Sequence, residues 1–382
     1  MTTSDNTLRP PRICVVGPVL PFRGGISHYN SMLFRALKDI GVQVSMFSFS
    51  RQYPKLLYPG ANDRDPALGT YREPGVHYTI DSINPFTWWR TSRRIASELP
   101  DMVVFHWWTV FWAPCFVLMA YLLKRRGIRI VLICHNLVDH DSGALKSTIS
   151  RWALNMADAY LVHSSEHKRR LLLEKPNIPV AQHPIPVYGH YPQAQHKLRK
   201  RGRLELLFFG FIRPYKGLDV LIDAMHQLSD PDVHLTVIGE YWGDPSALLE
   251  QLSRHQEIEA YLSYMSDEEA AEYFERADFV VLPYRAATGS AVASVAFHYN
   301  KPIIASRTGG LPDVVIDGYT GKLVTPNDPR ELASVLRQMN RTQAQLLSDG
   351  VRNFKASNSW QSLCNELLLL EKGSSTRDTA LP

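Results

Sequence analysis

Residues 204–225 read LELLFFGFIRPYKGLDVLIDAM, and the order of patterns inside this one stretch sets the architecture. LELLFF is a short, nearly continuous apolar run of the kind that forms a strand buried on both faces. Gly210 ends it, FIRPYK makes a turn rich in proline and cations, and GLDVLIDAM reads as a helix. A strand, a turn and a returning helix form half of a parallel crossover unit.

The same unit recurs on either side. Downstream follow VHLTVIGE, a helix near Pro245 to His255, IEAYLSY, DEEAAEYFERA, DFVVLPY, the helix after TGS, and KPIIAS. Upstream, RICVVG (Arg12 to Gly17) is followed by the helical ISHYNSMLFRALKDIG and by VQVSMFSF. A Pro- and Gly-rich excursion spans Tyr53 to Gly75, after which the alternation resumes with DMVVFHW, RIVLICHN, AYLVHS and PVAQHPI. Strands that lack polar alternate positions, separated by helices, predict an α/β protein with two doubly wound, Rossmann-like domains facing a cleft. The length of 382 residues agrees, since one domain usually takes about 100–200. The expected boundaries are an N-terminal domain over 11–190, a linker over 191–203 and a C-terminal domain over 204–357. A helix over 358–372 crosses back to the first domain, and 373–382 form a disordered tail.

Composition narrows the class. With 45% hydrophobic and 21% charged residues the chain is an ordinary globular protein. The net charge of +5 gathers in Lys124 to Arg129, Lys168 to Lys175 and Lys197 to Arg203. Solvated helix ends explain such runs, and so does attraction to an anionic membrane surface. No nucleic-acid motif accompanies the charge, so no nucleic-acid partner is expected. The cysteines Cys14, Cys115, Cys134 and Cys364 show no CxxC or Cys/His ligand spacing, which suggests buried free thiols and no metal. The start, MTTSDNTLRPPR, carries no apolar segment and so no signal peptide, which points to a cytoplasmic protein. Met102 to Leu123 runs 22 residues without a formal charge, long enough to cross a bilayer. Its division into strand, break at Pro114 and helix favours a buried or membrane-surface segment instead.

In open parallel sheets ligands bind beyond the carboxyl ends of the strands. After the first strand, Gly24 and Gly25 precede a helix, where bare backbone approaches an anion or sugar, although an ordinary loop accounts for them equally. Arg213 and Lys216 lie between strand and helix, where two cations would face a diphosphate; exposed surface charge is the alternative. Gly239 and Glu240 end VIGE, and Tyr264 with Met265 closes IEAYLSY, a position suited to flanking a flat base. His106 and His135 end MVVFH and RIVLICH in parallel positions, either as structural histidines or as groups facing a ligand.

Taken in order, GGISHY, HN after a central strand, FGFIRPYKGLDVLIDAM, VIGEYWGD, SDEEAAEYFERADFVVLPY and KPIIASRTGGLPDVVIDGYTGKLVTPNDP resemble the retaining nucleotide-sugar glycosyltransferases of the GT-B fold, family 4, across about Arg12 to Leu370. The resemblance implies a nucleotide-sugar donor on the second domain and a glycan or lipid-linked acceptor on the first, in cell-surface polysaccharide or glycolipid synthesis. It also implies Arg213 and Lys216 on the diphosphate, Thr288, Gly289 and Ser290 offering backbone N–H groups to sugar and phosphate, and Gly24 and Gly25 closing from the other side. His135 would lie near the transferred sugar, and the backbone around Tyr264 and Met265 would meet the base. It implies no metal and no resident cofactor, with front-face attack by the acceptor hydroxyl. The aromatic HWWTVFWAPCF near the basic clusters suggests a peripheral site at the inner membrane face.

Two departures stand out. Where the family often carries a pair of glutamates with seven residues between them, this chain has Ala287 and Val295, and the usual GR after the strand reads Gly210-Phe211, with the arginine at Arg213. A non-catalytic GT-B binding subunit is therefore an alternative, as is another GT-B enzyme such as a nucleotide-sugar epimerase or a phosphorylase.

Overall fold

The computed structural model describes residues 9–54, 63–65, 68–137, 144–189, 191–241, 244–287 and 289–371. Contacts divide the chain into two units, Met1–Val162 with His167–Gln182 and Trp360–Pro382, and His163–Glu166 with His183–Ser359. Residues 191–203 fall within the second unit, and the tail expected from 373 lies outside the described residues.

The first unit runs β1 (Arg12–Val16), α1 (Gly25–Asp39), β2 (Gln43–Arg51), β3 (Val76–Asp81), α2 (Pro85–Ser97), β4 (Met102–Trp107), α3 (Ala113–Lys124), β5 (Arg129–Cys134), α4 (Ala144–Leu154), β6 (Ala159–Val162), α5 (Ser165–Glu174) and β7 (Val180–Gln182). Its sheet has the order β3-β2-β1-β4-β5-β6-β7, every pair parallel. The order reverses beside β1, and that switch point opens a crevice at the carboxyl ends of β1 and β4. The central strands β4 and β6 are buried at every position, as their unbroken apolar runs require.

The second unit repeats the plan. It runs β8 (Leu204–Phe209), α6 (Leu218–Leu228), β9 (Val233–Ile238), α7 (Ser246–Ser253), β10 (Ile258–Tyr261), α8 (Asp267–Arg276), β11 (Phe279–Leu282), α9 (Ala291–His298), β12 (Ile303–Ser306), β13 (Gly321–Val324), α10 (Pro329–Gln338) and α11 (Arg341–Ser357). The sheet order β10-β9-β8-β11-β12-β13 is again all parallel, with its switch between β8 and β11. Leu218, Leu221, Ile222 and Met225 turn one face of α6 into the core, where α10 joins it. The last helix, α12 (Trp360–Glu371), belongs to the first unit.

β3, β13 and α2, like α10 and α11, escape the sequence pattern. β3 and β13 are edge strands: β3 reads VHYTID with polar alternates and is only half-buried. α2 begins at a Pro following Asn84, whose side chain accepts from the Phe86 N–H at 3.1 Å. The four cysteines are free and buried.

The uncharged Met102–Leu123 stretch is β4, a 3-10 turn at Val110–Trp112 and α3. Among the described residues no helix is long and apolar enough to cross a membrane. The HWWTVFWAPCF segment is mostly interior: Trp107, Trp112, Phe116 and Ala113 belong to the hydrophobic core, and Trp112 packs on Phe49 at 4.3 Å between ring centroids. The expectation that these aromatics form an interfacial surface is therefore corrected; their burial stabilises the unit instead, by about 1.5–3 kcal/mol for each large side chain.

Candidate functional site

The richest constellation in the second unit lies beyond the carboxyl ends of β8, β9 and β11. β8 stops at Phe209 and the chain continues through Gly210, where φ is +94° and a Cβ would stand 3.1 Å from Lys216 Nζ. Gly239, one residue past β9, backs onto it so closely that a Cβ would fall 2.1 Å from the Gly210 carbonyl oxygen. The chain then makes a 3-10 turn at Pro214–Lys216 and passes through Gly217, at φ +64°, into α6. A Cβ on Gly217 would be 2.1 Å from the Pro283 carbonyl oxygen, so the turn is pressed against the end of β11, backbone on backbone.

This turn carries Lys216 into the interior. The side chain is 8% exposed, its ammonium sits 5.6 Å above the Tyr284 ring, and among the described residues no carboxylate pairs with it. Burial, with a smaller push from Arg213, lowers its pKa from 10.5 to about 8. Burial likewise lowers Arg213, against the opposing pull of Tyr215 and Glu240. A buried ammonium beside a second cation suits a ligand that brings its own negative charge.

The turn is braced from β11. Arg285, three residues past that strand, donates to the Pro214 carbonyl at 2.6 Å and grips both carboxylate oxygens of Asp219, on the first turn of α6, one of them at 2.8 Å. The pair lowers Asp219 and raises Arg285, each through the hydrogen bonds between them. The Arg285 N–H also donates to the Tyr215 carbonyl at 2.7 Å. Arg285 thus braces the Lys216 turn. Replacing it with alanine is expected to weaken nucleoside-diphosphate binding about tenfold, with lysine restoring little because it cannot reproduce the fork. Titration calorimetry on both variants checks this, and equal affinity in wild type and alanine variant would remove Arg285 from the account.

The loop after Arg285 leads to α9. Ser290 caps it, its hydroxyl accepting from the Ala293 N–H at 3.3 Å, and the other N–H groups of the first turn, which a helix cannot pair internally, lie beside Gly289. Gly289 has room: a Cβ would meet only Ile185 Cδ1, at 3.4 Å. Thr288 lies outside the described residues. Ala287 is pinned by the TGG turn, since Gly310 donates to its carbonyl at 3.2 Å and Gly309, at φ +52°, lies directly on that carbonyl. Val295 is 3% exposed and is part of the buried face of α9.

Tyr264 and Met265 do not close a strand. β10 stops at Tyr261, and the two residues occupy the loop before α8, Tyr264 exposed and Met265 half-buried. A capping box fixes that loop: Ser266 Oγ accepts from the Glu269 N–H at 3.3 Å while Glu269 accepts from the Ser266 N–H at 3.1 Å.

The first unit has its own cluster at the switch point. His106, on β4, and His135, immediately after β5, meet with Nδ1 of the former 3.0 Å from Nε2 of the latter. One nitrogen donates and the other accepts, so this contact accommodates a single proton. His106 is one residue short of the strand end, which brings its ring parallel to His135 with 16° between the planes. Tyr29 of α1 stands edge-on to both rings and to Trp360 of α12, with centroids 5.7, 4.9 and 5.1 Å away. Gly17 leaves the space these groups fill, for a Cβ there would come within 2.5 Å of Asn30 Nδ2 and 3.0 Å of His106 Cδ2. Gly24 and Gly25 are exposed at the start of α1, Gly24 at φ +109° with nothing within 4 Å of a Cβ.

The structure thus gathers Gly239, Arg213, Lys216 and the α9 start in one unit, and His135 with His106 in the other. Tyr29, Tyr284 and the Arg285–Asp219 fork were not singled out from the sequence. Tyr29 had a signal, as the last residue of GGISHY; the fork joins residues 66 apart and had none.

Residues 203–341 match the model of the glycosyl transferases group 1, and residues 23–202 match that of glycosyltransferase family 4. An uncharacterised glycosyltransferase of Methanocaldococcus jannaschii is 27% identical over 357 residues, covering 89% of this chain and 92% of that protein. The GDP-mannose:glycolipid 4-beta-D-mannosyltransferase of Xanthomonas campestris pv. campestris is 28% identical over 196 residues, covering 50% of this chain and 54% of that protein. The solved structure of Anabaena HepE in complex with UDP superposes with a TM-score of 0.71 at 14% identity, over 95% of this chain and 100% of that one, a likeness of fold. The two family models meet at residues 202 and 203 and fall on the two doubly wound sheets, so the chain belongs to the GT-B glycosyltransferases of group 1, family 4.

Proposed function

We propose that this glycosyltransferase moves a hexose from a nucleoside-diphosphate donor, with retention, to a glycolipid or lipid-linked glycan at the cytoplasmic face of a membrane. The observation that carries the reading is Lys216, buried, without a carboxylate partner among the described residues, and beside Arg213. The second unit would hold the donor. Lys216 and Arg213 would meet the diphosphate, Thr288, Gly289 and Ser290 would offer N–H groups to phosphate and sugar, Gly239 and Glu240 would border the same crevice, and the backbone at Tyr264 and Met265 would border the base.

In the reaction the bond from the anomeric carbon to the diphosphate oxygen breaks, and its electron pair stays with the nucleoside diphosphate. The two cations and the α9 N–H groups neutralise that growing charge in a water-poor setting. The acceptor hydroxyl attacks from the same face and gives its proton to a phosphate oxygen, so the cations replace a metal and no resident cofactor enters. His135, its ring orientation held by His106 and Tyr29, would contact the transferred sugar, and Gly24 with Gly25 the acceptor side of the donor. The Xanthomonas relative's GDP-mannose donor and glycolipid acceptor support the substrate class.

The test is a panel of UDP-, GDP- and ADP-sugars, scored first by thermal shift and then by transfer to lipid-linked acceptors with and without a chelator. Saturation at about 100 times Kd stabilises the folded state by about 2.7 kcal/mol, which is readily measured. A donor that binds and is turned over supports the reading. Ala287 and Val295 favour the one competing reading, a binding subunit: nucleotide binding that depends on Lys216, with no donor ever turned over, would establish that instead.

A further inference from the structure

Moving the HWWTVFWAPCF aromatics into the core leaves a different aromatic and basic face exposed on the first unit. α2 and the end of α3 pack side by side. On the outer side of α2, Phe86 and Trp89 are 63% and 40% exposed, with rings 5.6 Å apart, and Ile83 precedes them. On α3, Tyr121 is 49% exposed. Arginines collar these rings: Arg93 lies 4.9 Å over Trp89, and Arg125 lies 5.8 Å over Tyr121. Between the helices is an open pocket of about 280 Å3, lined by Trp89, Ser92, Arg93, Ala96, Leu122 and Arg126.

The charge here is of one sign. Neither α2, PFTWWRTSRRIAS, nor α3, APCFVLMAYLLK, contains an acidic residue. Neighbouring cations are engaged, Lys124 with Asp158 at 2.6 Å and Arg94 with His77 at 3.2 Å. Among the described residues Arg90, Arg93, Arg125 and Arg126 have no carboxylate partner. Fold stability accounts for neither feature, because exposed aromatics and unpaired guanidinium groups add little to a folded monomer.

We propose that the α2–α3 face docks on an anionic lipid bilayer, with Phe86, Trp89 and Tyr121 at headgroup depth and a headgroup phosphate taken between Arg93 and Arg126. Trp89 and Tyr121, each with an apolar body and a polar tip, settle at that depth beside the apolar Phe86, and arginine reaches the phosphates while its stem stays among the acyl ends. A surface of uniform positive charge fits a planar array of negative headgroups better than a folded protein partner of mixed sign. The inference rests on the lipid-linked acceptor of the proposed function, but not on the reaction, so the two fail separately.

The test uses the full chain with vesicles of phosphatidylcholine, with and without phosphatidylglycerol, in a flotation assay that also follows tryptophan emission. Wild type is expected to float with the anionic vesicles only, with a blue shift, and to be released by salt as screening shortens the reach of each charge. The double variant Arg93→Gln/Arg126→Gln is expected to bind about 25-fold more weakly, about fivefold for each arginine at an anionic surface. Its melting temperature and its response to nucleoside diphosphates should match wild type. Equal flotation of wild type and double variant would overturn the assignment, as would equal binding to neutral vesicles. Binding to polyglutamate without binding to vesicles would assign the face to an acidic polypeptide, and inorganic phosphate that blocks the pocket without vesicle binding would make it a site for free phosphate.

Discussion

Lys216→Met is expected to make the unliganded protein more stable and to cost it most of its affinity for nucleoside diphosphates. The two effects have one cause. Burial lowers the Lys216 pKa from 10.5 to about 8, so at neutral pH folding forces a charge into a site that disfavours it. A drop of that size is worth on the order of 3 kcal/mol, an upper limit on what methionine recovers. The sign follows from proton counting. Between pH 8 and 10.5 the unfolded chain binds the Lys216 proton and the folded one does not, so wild-type stability rises with pH across this window. Below about pH 8 both states are protonated and the full penalty is present. Wild type and variant should therefore differ most at neutral pH and converge as the pH approaches 10.5.

A diphosphate reverses the balance by supplying the missing counter-charge, and charge-assisted hydrogen bonds to Lys216 are worth about 1.5–3 kcal/mol. Loss of the ammonium should weaken binding about 100-fold. In wild type the affinity should fall above about pH 8, and binding measured there in buffers of different ionisation enthalpy should show proton uptake, as the ligand restores charge to Lys216. Thermal melts across pH and calorimetry give both results. A variant that melts at the wild-type temperature and binds nucleotide equally well would mean that Lys216 is an ordinary core lysine.

The fold and the cation pair were legible in the sequence for the same reason: both are local. An apolar run, a glycine turn and a helix announce a crossover unit, and the turn necessarily stands at the carboxyl end of a strand, where Arg213 and Lys216 are found. What a residue faces was not local. Trp107 and Trp112 carry the composition of an interfacial belt, yet β4 is central in its sheet and α3 lies on that sheet, so both are interior. Trp89, in the unforeseen α2, is exposed because α2 packs beside the β3 edge and has only one face to bury. The departure at Val295 was legible as chemistry, and its burial sharpens it: the position contributes to the packing of α9 and presents no polar group.

Gly309→Ala should be the most damaging single methyl in the second unit, and it separates scaffold from ligand contact when paired with Gly289→Ala. At Gly309 a Cβ would lie 1.4 Å from the Ala287 carbonyl oxygen and 2.5 Å from its carbon, both backbone atoms that no rotamer change can relieve. The backbone angle, φ +52°, adds a smaller strain. To admit the methyl, the TGG turn must leave Ala287, breaking the Gly310 N–H bond to that carbonyl and freeing the segment that leads to Gly289 and the α9 cap. A loss of about 3 kcal/mol or more in stability is expected, of the size seen for overpacking in a rigid core. Gly289→Ala meets only the end of Ile185, at 3.4 Å, in a backbone conformation open to any residue, so its melting temperature should stay within about 1 °C of wild type. If the α9 start receives phosphate and sugar, that same methyl stands where they approach, and donor affinity should fall at least tenfold with the fold intact. The opposite pattern, a stable Gly309→Ala that binds normally or a Gly289→Ala with full affinity, would show that the space beside Gly289 is not the donor's.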